Sequence, residues 1–359
     1  MTTIVPFSGS YATDDVSFLL RRVTMDMTPV EEKERLIQSG QMHYSDMLSQ
    51  EPEPSAQHLA IFQDALAVGA PRLARDVMML ANALAEHMGD TPVVLASLVR
   101  AGVPLGVLLH KALGYLGKTS YHYGISIIRD RGIDEQALAY IEAKHGTDGL
   151  VFVDGWTGKG AITGQLTASL QHRPGYPEHP RLVVLADPCG CAWLSASDDD
   201  WLIPFGILGA PVSGMVSRSI WSADDLHGCV QCDHLQAYDC SRALIRTVTD
   251  LWPNMALDNL PLATFRTPDQ DDLLTLSRSV VSALANDYHI DRINRIKPGI
   301  AEATRAVLRR VPDHILVRDK HDPDVALLVH LAEQKQLPIE EAGQRIGQYR
   351  AVTIIKKVL

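Results

Sequence analysis

The chain has 359 residues, 46% of them apolar, which suffices for two domains with cores of their own. No run approaches the ~18 consecutive apolar residues of a membrane helix, and Met-Thr-Thr-Ile-Val-Pro-Phe at the start lacks the basic and apolar regions of a signal peptide. Five cysteines, an odd number in a large chain, argue against a disulfide framework, so a reducing, cytoplasmic setting is expected.

The first 50 or so residues read as an extension packed on the core, with short helices expected over residues 14–21 and 31–38. His43, Ser45 and Asp46 lie close in sequence, but triad members meet through the fold rather than through adjacency. Glu51-Pro-Glu-Pro is a turn, and residues 58–88 carry long helical periodicity. An apolar run from Pro92 then leads into Arg100-Ala101-Gly102 and a helix over 107–113, a strand, loop and helix unit. A strand over 125–128 runs into Arg129-Asp130-Arg131-Gly132, followed by a helix over 135–143.

The stretch from Gly149 to Gly164 organises the rest. Leu-Val-Phe-Val is a continuous apolar run, as in a buried parallel strand, and Asp154 stands at its end. Gly155, Gly158 and Gly160 follow, and a helical pattern begins at Ala161. Such a turn offers backbone N–H groups and a helix N-terminus to a phosphate. A Walker A loop is ruled out because Val153 and Gly160 occupy places that require Gly and Ser/Thr. The dinucleotide fingerprint is missed by one residue, since Gly158, Gly160 and Gly164 give G-x-G-x-x-x-G. The third match is the ribose-phosphate loop of type I phosphoribosyltransferases, with Gly155 in place of the usual second acid. An ordinary glycine-rich strand-to-helix turn is the plain alternative.

Further on, residues 181–187 form another buried strand ending in an acid, and the loop-rich stretch 198–218 carries Ser213, Ser217 and Arg218. Cys189-Gly-Cys191 and Cys229-Val-Gln-Cys232, with His227 and His234 beside the latter, suit zinc chemically, but no second ligand pair stands at regular spacing. From Arg292 onward there are 13 Lys/Arg against 8 Asp/Glu, a net +5 that leaves −15 for the remainder. A basic tail on an acidic body points to a polyanion partner or to a solvated basic surface. The tail reads as a small α/β unit: a helix after Lys297-Pro298-Gly299, a strand near 314–319, a helix over 324–334 and a final strand from Ala351.

Arg100-Ala101-Gly102, Ser126 through Asp134 and the Asp154–Ala161 loop, in this order, resemble the StiP-type phosphoribosyltransferase family of tellurite-resistance and stress gene clusters. His43-Tyr-Ser-Asp-Met, Val212 through Arg218 and Asp225-Leu-His227-Gly228 are similar to further signatures of that family. Its members are described as a predicted phosphoribosyltransferase fused to a C-terminal Pelota-like RNA-binding domain, and they also carry a cysteine-protease label. The resemblance implies an α/β fold: a type I phosphoribosyltransferase-like core with a mostly parallel sheet over residues 1–290, and a small α/β Pelota-like domain over 291–359. It implies transfer of ribose 5-phosphate from phosphoribosyl diphosphate to a base-like acceptor, with magnesium. In that scheme Arg100, Ala101 and Gly102 take the diphosphate, and Arg129 and Arg131 neutralise it as it leaves. Thr157, Gly158, Lys159, Gly160 and Ala161 hold the 5-phosphate, and Asp154 holds ribose hydroxyls or the metal. Ser213, Ser217 and Arg218 face the acceptor, while Lys297, Gly299, Glu302 and Arg305 face RNA. A homo-oligomer without membrane attachment is expected. Two rivals remain: a cysteine hydrolase using Cys189 or Cys191 with a histidine in reach, and a non-catalytic RNA-binding regulator, which the missing acid at Gly155 favours.

Overall fold

The computed structural model describes residues 4–257, 260–267 and 269–358. Its central sheet has seven strands: β1 (Ser17–Phe18), β2 (Val93–Leu98), β3 (Ser120–Ile125), β4 (Leu150–Val153), β5 (Leu182–Ala186), β6 (Leu194–Ser197) and β7 (Thr264–Phe265). They lie in the spatial order β1-β3-β2-β4-β5-β6-β7, all parallel except the edge strand β7. Every residue of β2, β4 and β5 is buried. That is why their sequences are continuous apolar runs: helices cover both faces of a parallel sheet.

The side chains still sort by strand alternation. Val93, Leu95, Val151, Val153, Val183 and Leu185 join one core. On that side stand α2 (Ala56–Met88), α3 (Val103–Tyr115) and α6 (Ser241–Thr249). Val94, Ala96, Leu98, Phe152 and Val184 point the other way, against α4 (Glu135–His145) and α5 (Ala161–Leu170). The chain moves from β2 outward to β3, then returns to place β4 on the other flank of β2. Between the carboxyl ends of β2 and β4 lies a topological switch point, the place where open α/β sheets form a crevice. Both loops singled out in the sequence, Arg100–Gly102 and Asp154–Gly160, emerge there.

Two local expectations are corrected. Residues 14–21 form short strands instead of a helix, because Phe18 docks over Gly124 of β3, where a side chain would occupy the ring's place. The Leu19 N–H also donates to the Gly124 carbonyl at 2.8 Å. Long-range pairing outweighs the local pattern there. The sheet strand also ends at Ile125, and Ile127–Ile128 folds back on Gly132–Ile133 as a separate hairpin.

The C-terminal unit has a four-stranded sheet of β8 (Ile296–Pro298), β9 (Pro312–Val317), β10 (Ile339–Glu341) and β11 (Ala351–Ile355), in the order β8-β11-β9-β10. Helix α7 (Asp269–Asp287) packs Val280, Val281 and Leu284 against Ile296, Leu316, Tyr349 and Val352. Helices α8 (Ile300–Arg309) and α9 (Ala326–Gln334) turn apolar residues toward the core cluster of the first unit. No described helix is long and apolar enough to cross a membrane.

Candidate functional site

A cavity of about 770 Å³ opens at the switch point. Five pieces of chain wall most of it: the first α-helix, α1 (Val30–Ser39), with the segment down to Pro52; the loop after β2; the loop after β4; residues 217–234; and helix α8 of the C-terminal unit. The two sequence units therefore share one site.

The loop after β4 is held from beneath. The Thr157 hydroxyl donates to Asp187 Oδ1 at 2.6 Å, and the Cys189 N–H donates to Thr157 Oγ1 at 3.1 Å. Gly160 takes a left-handed φ of 79° and starts α5 without any side-chain cap. Burial pushes the Asp154 carboxyl up to about 7, while the Gly155 N–H (2.8 Å) and Arg305 pull it down and Glu302 pushes it up. Lys159 donates to the carbonyls of Ile293 (3.0 Å) and Ile296 (2.6 Å), so this lysine ties the loop to the C-terminal unit. Burial lowers it to about 7, with Lys297 adding repulsion.

The residues expected to act together separate into two groups. Arg100, Ala101, Arg129, Asp154, Thr157 through Ala161, Ser217 and Arg218 all line the cavity. Gly102 does not: it is where α3 presses against the end of β4, next to the Val153 carbonyl. Arg131 is also elsewhere, paired with Asp46 and bonded to Ser45 Oγ at 3.0 Å, its guanidinium over the Trp221 ring at 4.2 Å. Ser213 is buried and donates to the Gly209 carbonyl at 2.8 Å, outside the cavity. The tail residues occupy an unexpected place. Lys297, Glu302 and Arg305 line the cavity, with Lys297 Nζ 3.2 Å from Glu302 and Arg305 over the Trp156 ring at 4.5 Å. Gly299 sits against Asp200.

Position 155 explains its glycine. A Cβ there would lie 3.0 Å from the Phe205 ring and 3.1 Å from the Ala101 carbonyl, so a second acid beside Asp154 would have to displace one of them. Among the described residues no group of three or more His, Cys, Asp or Glu side chains is placed to hold a metal. Asp154, its charge disfavoured and one oxygen already bonded to Gly155, beside a Glu302 already paired with Lys297, does not fit a magnesium ion. No step is assigned to one.

All five cysteines are free thiols. Cys189 and Cys191 lie beneath the loop, behind Gly160. A hydrogen bond from Cys191 holds the Cys189 thiol below its ordinary range, against burial, and Cys189 touches Ser277 Oγ at 3.5 Å. Cys232 alone among the described thiols lines the cavity, together with His234. Burial pushes its thiol up, Arg100 and Arg309 pull it down and Glu51 pushes it up. His234 Nε2 contacts the Glu51 carbonyl at 2.9 Å, and no histidine bonds a thiol among the described residues. Sequence reasoning had met Cys232 and His234 only as zinc candidates. Their place in the cavity depends on residues 217–231 folding back, with the Ser217 N–H donating to the Val230 carbonyl at 2.9 Å, which no spacing rule reveals.

The fold and site together define a mixed α/β protein with a mostly parallel central sheet, a thiol-bearing cavity at its switch point and a second α/β unit closing that cavity. The sequence matches the family model of the tellurite-like stress resistance cysteine protease StiP over residues 9–249, and that of the PELOTA RNA binding domain over 275–357. A curated relative, "Cysteine protease StiP" of Acinetobacter baylyi (strain ATCC 33305 / BD413 / ADP1), is 49% identical over 366 residues, covering 98% of this chain and 95% of that protein. The chain belongs to the StiP family.

These matches correct the expected activity. Both the family and the relative are named for a cysteine protease, a hydrolase, and not for a glycosyltransferase that uses phosphoribosyl diphosphate. The physical reason is plain: a strand, a glycine turn and a helix N-terminus report only an anion-friendly backbone, and such a turn serves many reactions.

Proposed function

We propose that this protein is a cysteine hydrolase of the protease type, acting in the cavity with Cys232 as nucleophile and His234 as its base. The observation that carries the reading is that Cys232 is the one described thiol on the cavity wall, and that a histidine two residues on shares that wall. The thiolate is the attacking species, so a thiol raised by burial needs both a base and nearby positive charge. Arg100 and Arg309 supply the charge. His234 is exposed, and its Nδ1 makes no described bond, which leaves it able to take the thiol's proton. The strand order and the glycine turn before α5 support the finer inference that the core is type I phosphoribosyltransferase-like in fold, put to hydrolytic use.

The test is hydrolysis of a fluorogenic peptide pool by single variants. Cys232→Ser is expected to lower turnover at least about 1,000-fold and His234→Ala about 100-fold, with Cys229→Ser and Cys240→Ser near wild type. Full activity in Cys232→Ser, or its loss in Cys189→Ser instead, would overturn the assignment.

A further inference from the structure

The cavity concentrates positive charge in an acidic protein. Nine Lys or Arg side chains line it against four Asp or Glu, although the chain as a whole carries −10. Most of these cations are satisfied: Arg100 pairs with Glu51, Arg310 with Glu34 and Lys297 with Glu302, while Lys159 and Arg218 donate to main-chain carbonyls. Two, on α1 and α8, are not. Among the described residues the Lys33 ammonium, only 7% exposed, and the Arg309 guanidinium take part in no hydrogen bond or ion pair. Burial, then repulsion from Arg218, Arg310 and Arg309, brings Lys33 down to about 8, which leaves it charged at neutral pH. Arg309 also pulls the Cys232 thiol down, so this unpaired pair stands within electrostatic reach of the proposed nucleophile. Val30, Ile37 and Leu308, on the same two helices, add apolar wall around them. Two desolvated cations that repel each other cost stability until a negative charge meets them.

We propose that the cavity selects peptides by a carboxylate held between Lys33 and Arg309, so that cleavage at Cys232 falls beside an acidic side chain or a chain's C-terminus. A guanidinium fork and an ammonium suit the two oxygens of one carboxylate. The apolar wall around them suits the stem that carries it. A nucleic acid is disfavoured because bases need open aromatic faces to stack on. Trp156 lies between Arg305, at 4.5 Å, and Phe205, and Tyr44 carries Arg129 and Arg218, each at 5.3 Å. As a substrate preference the inference rests on the protease reading; as a binding site it does not.

The probes are three quenched-fluorescent peptide pools of one length. The first carries a single Asp or Glu and an amidated C-terminus, the second its Asn or Gln counterpart, also amidated, and the third that counterpart with a free C-terminus. Wild type is expected to show a kcat/KM at least about tenfold higher for the first or the third pool than for the second. Which of the two is preferred identifies the source of the carboxylate. Lys33→Met, which keeps the apolar stem, and Arg309→Gln are each expected to bring that ratio close to one. A general loss of activity cancels in the ratio. Arg309→Lys and the remote surface variant Arg345→Gln are expected to keep most of the preference. Equal hydrolysis of all three pools by wild type overturns the proposal and leaves the protease reading intact. So does a ratio unchanged in both Lys33→Met and Arg309→Gln, or one lost equally in Arg345→Gln. Fluorescence anisotropy of the labelled pools with Cys232→Ser separates the two readings. Tighter binding of a carboxylate pool that wild type does not hydrolyse supports the site and removes the protease. Equal binding of all pools, or tighter binding of an oligouridylate, overturns the site.

Discussion

Asp154 shows how a single carboxyl reports on the cavity. Its ordinary value of 3.8 rises to about 7 in the fold, chiefly through burial. The folded protein therefore holds a proton that the unfolded chain releases, and stability contributed at this position falls as pH rises from about 4 to about 7. Above that the full penalty remains. Asp154→Asn removes the titration: the variant is expected to match wild type near pH 4 and to be the more stable by on the order of 1–3 kcal/mol near pH 7. Urea unfolding of both proteins across this range checks it, and a difference independent of pH would refute the argument. Lys159, lowered to about 7 by burial, acts in the opposite sense and only above that point, while Asp200, raised to about 6, is common to both proteins. The acid at the end of β4 was legible from the sequence, since a buried apolar run that ends in Asp announces itself. The proposed nucleophile was not. Cys189 and Cys191 attracted notice, but they lie behind Gly160, and Cys232 reaches the cavity through a fold-back with no sequence signature.

Glycines mark which elements approach closely, and the elements respond differently to their replacement. At Gly102 a methyl group would strike the Val153 carbonyl, a backbone atom of β4 that cannot move without disturbing the sheet. Gly102→Ala is expected to cost roughly 2–4 kcal/mol. At Gly164, inside α5, nothing stands within 4 Å, so Gly164→Ala is expected to stabilise by about 0.5–1 kcal/mol through helix propensity alone. Thermal unfolding of the two variants checks the pair, and a loss of stability in both would contradict the packing described. Elements defined by their own sequence were readable: β2, β4 and β5 from unbroken apolar runs, α2 and α4 from periodicity. Residues 14–21 were not, because their strand exists only through Gly124, more than 100 residues away. Arg131 was misplaced for a similar reason: its loop was visible, but its partners Asp46 and Trp221 come from distant segments.

Across the whole molecule, charge counting found the basic tail but not its direction. Lys297, Arg305, Arg309 and Arg310 face the cavity, where the first unit covers them. Asp200 fixes this orientation. Only 6% exposed, it receives the Ile300 N–H at 2.9 Å on one oxygen and the Arg350 N–H at 2.8 Å on the other. The Arg350 guanidinium then returns to Asp199 at 2.8 Å and also meets Asp324 at 2.7 Å. A second tie joins α1 to the tail, where Glu34 pairs with Arg310 at 2.5 Å. With two backbone donors and a charged cluster hung on one loop, the two units are expected to unfold together in wild type. Asp200→Ala leaves both N–H groups buried without acceptors, a loss of roughly 2–4 kcal/mol, and it falls on the junction, not inside either core. Calorimetry is therefore expected to show one transition in wild type and two in Asp200→Ala, the lower one abolished by deleting the tail. A single transition merely shifted downward would mean that the apolar contacts of α8, and not this carboxylate, couple the units.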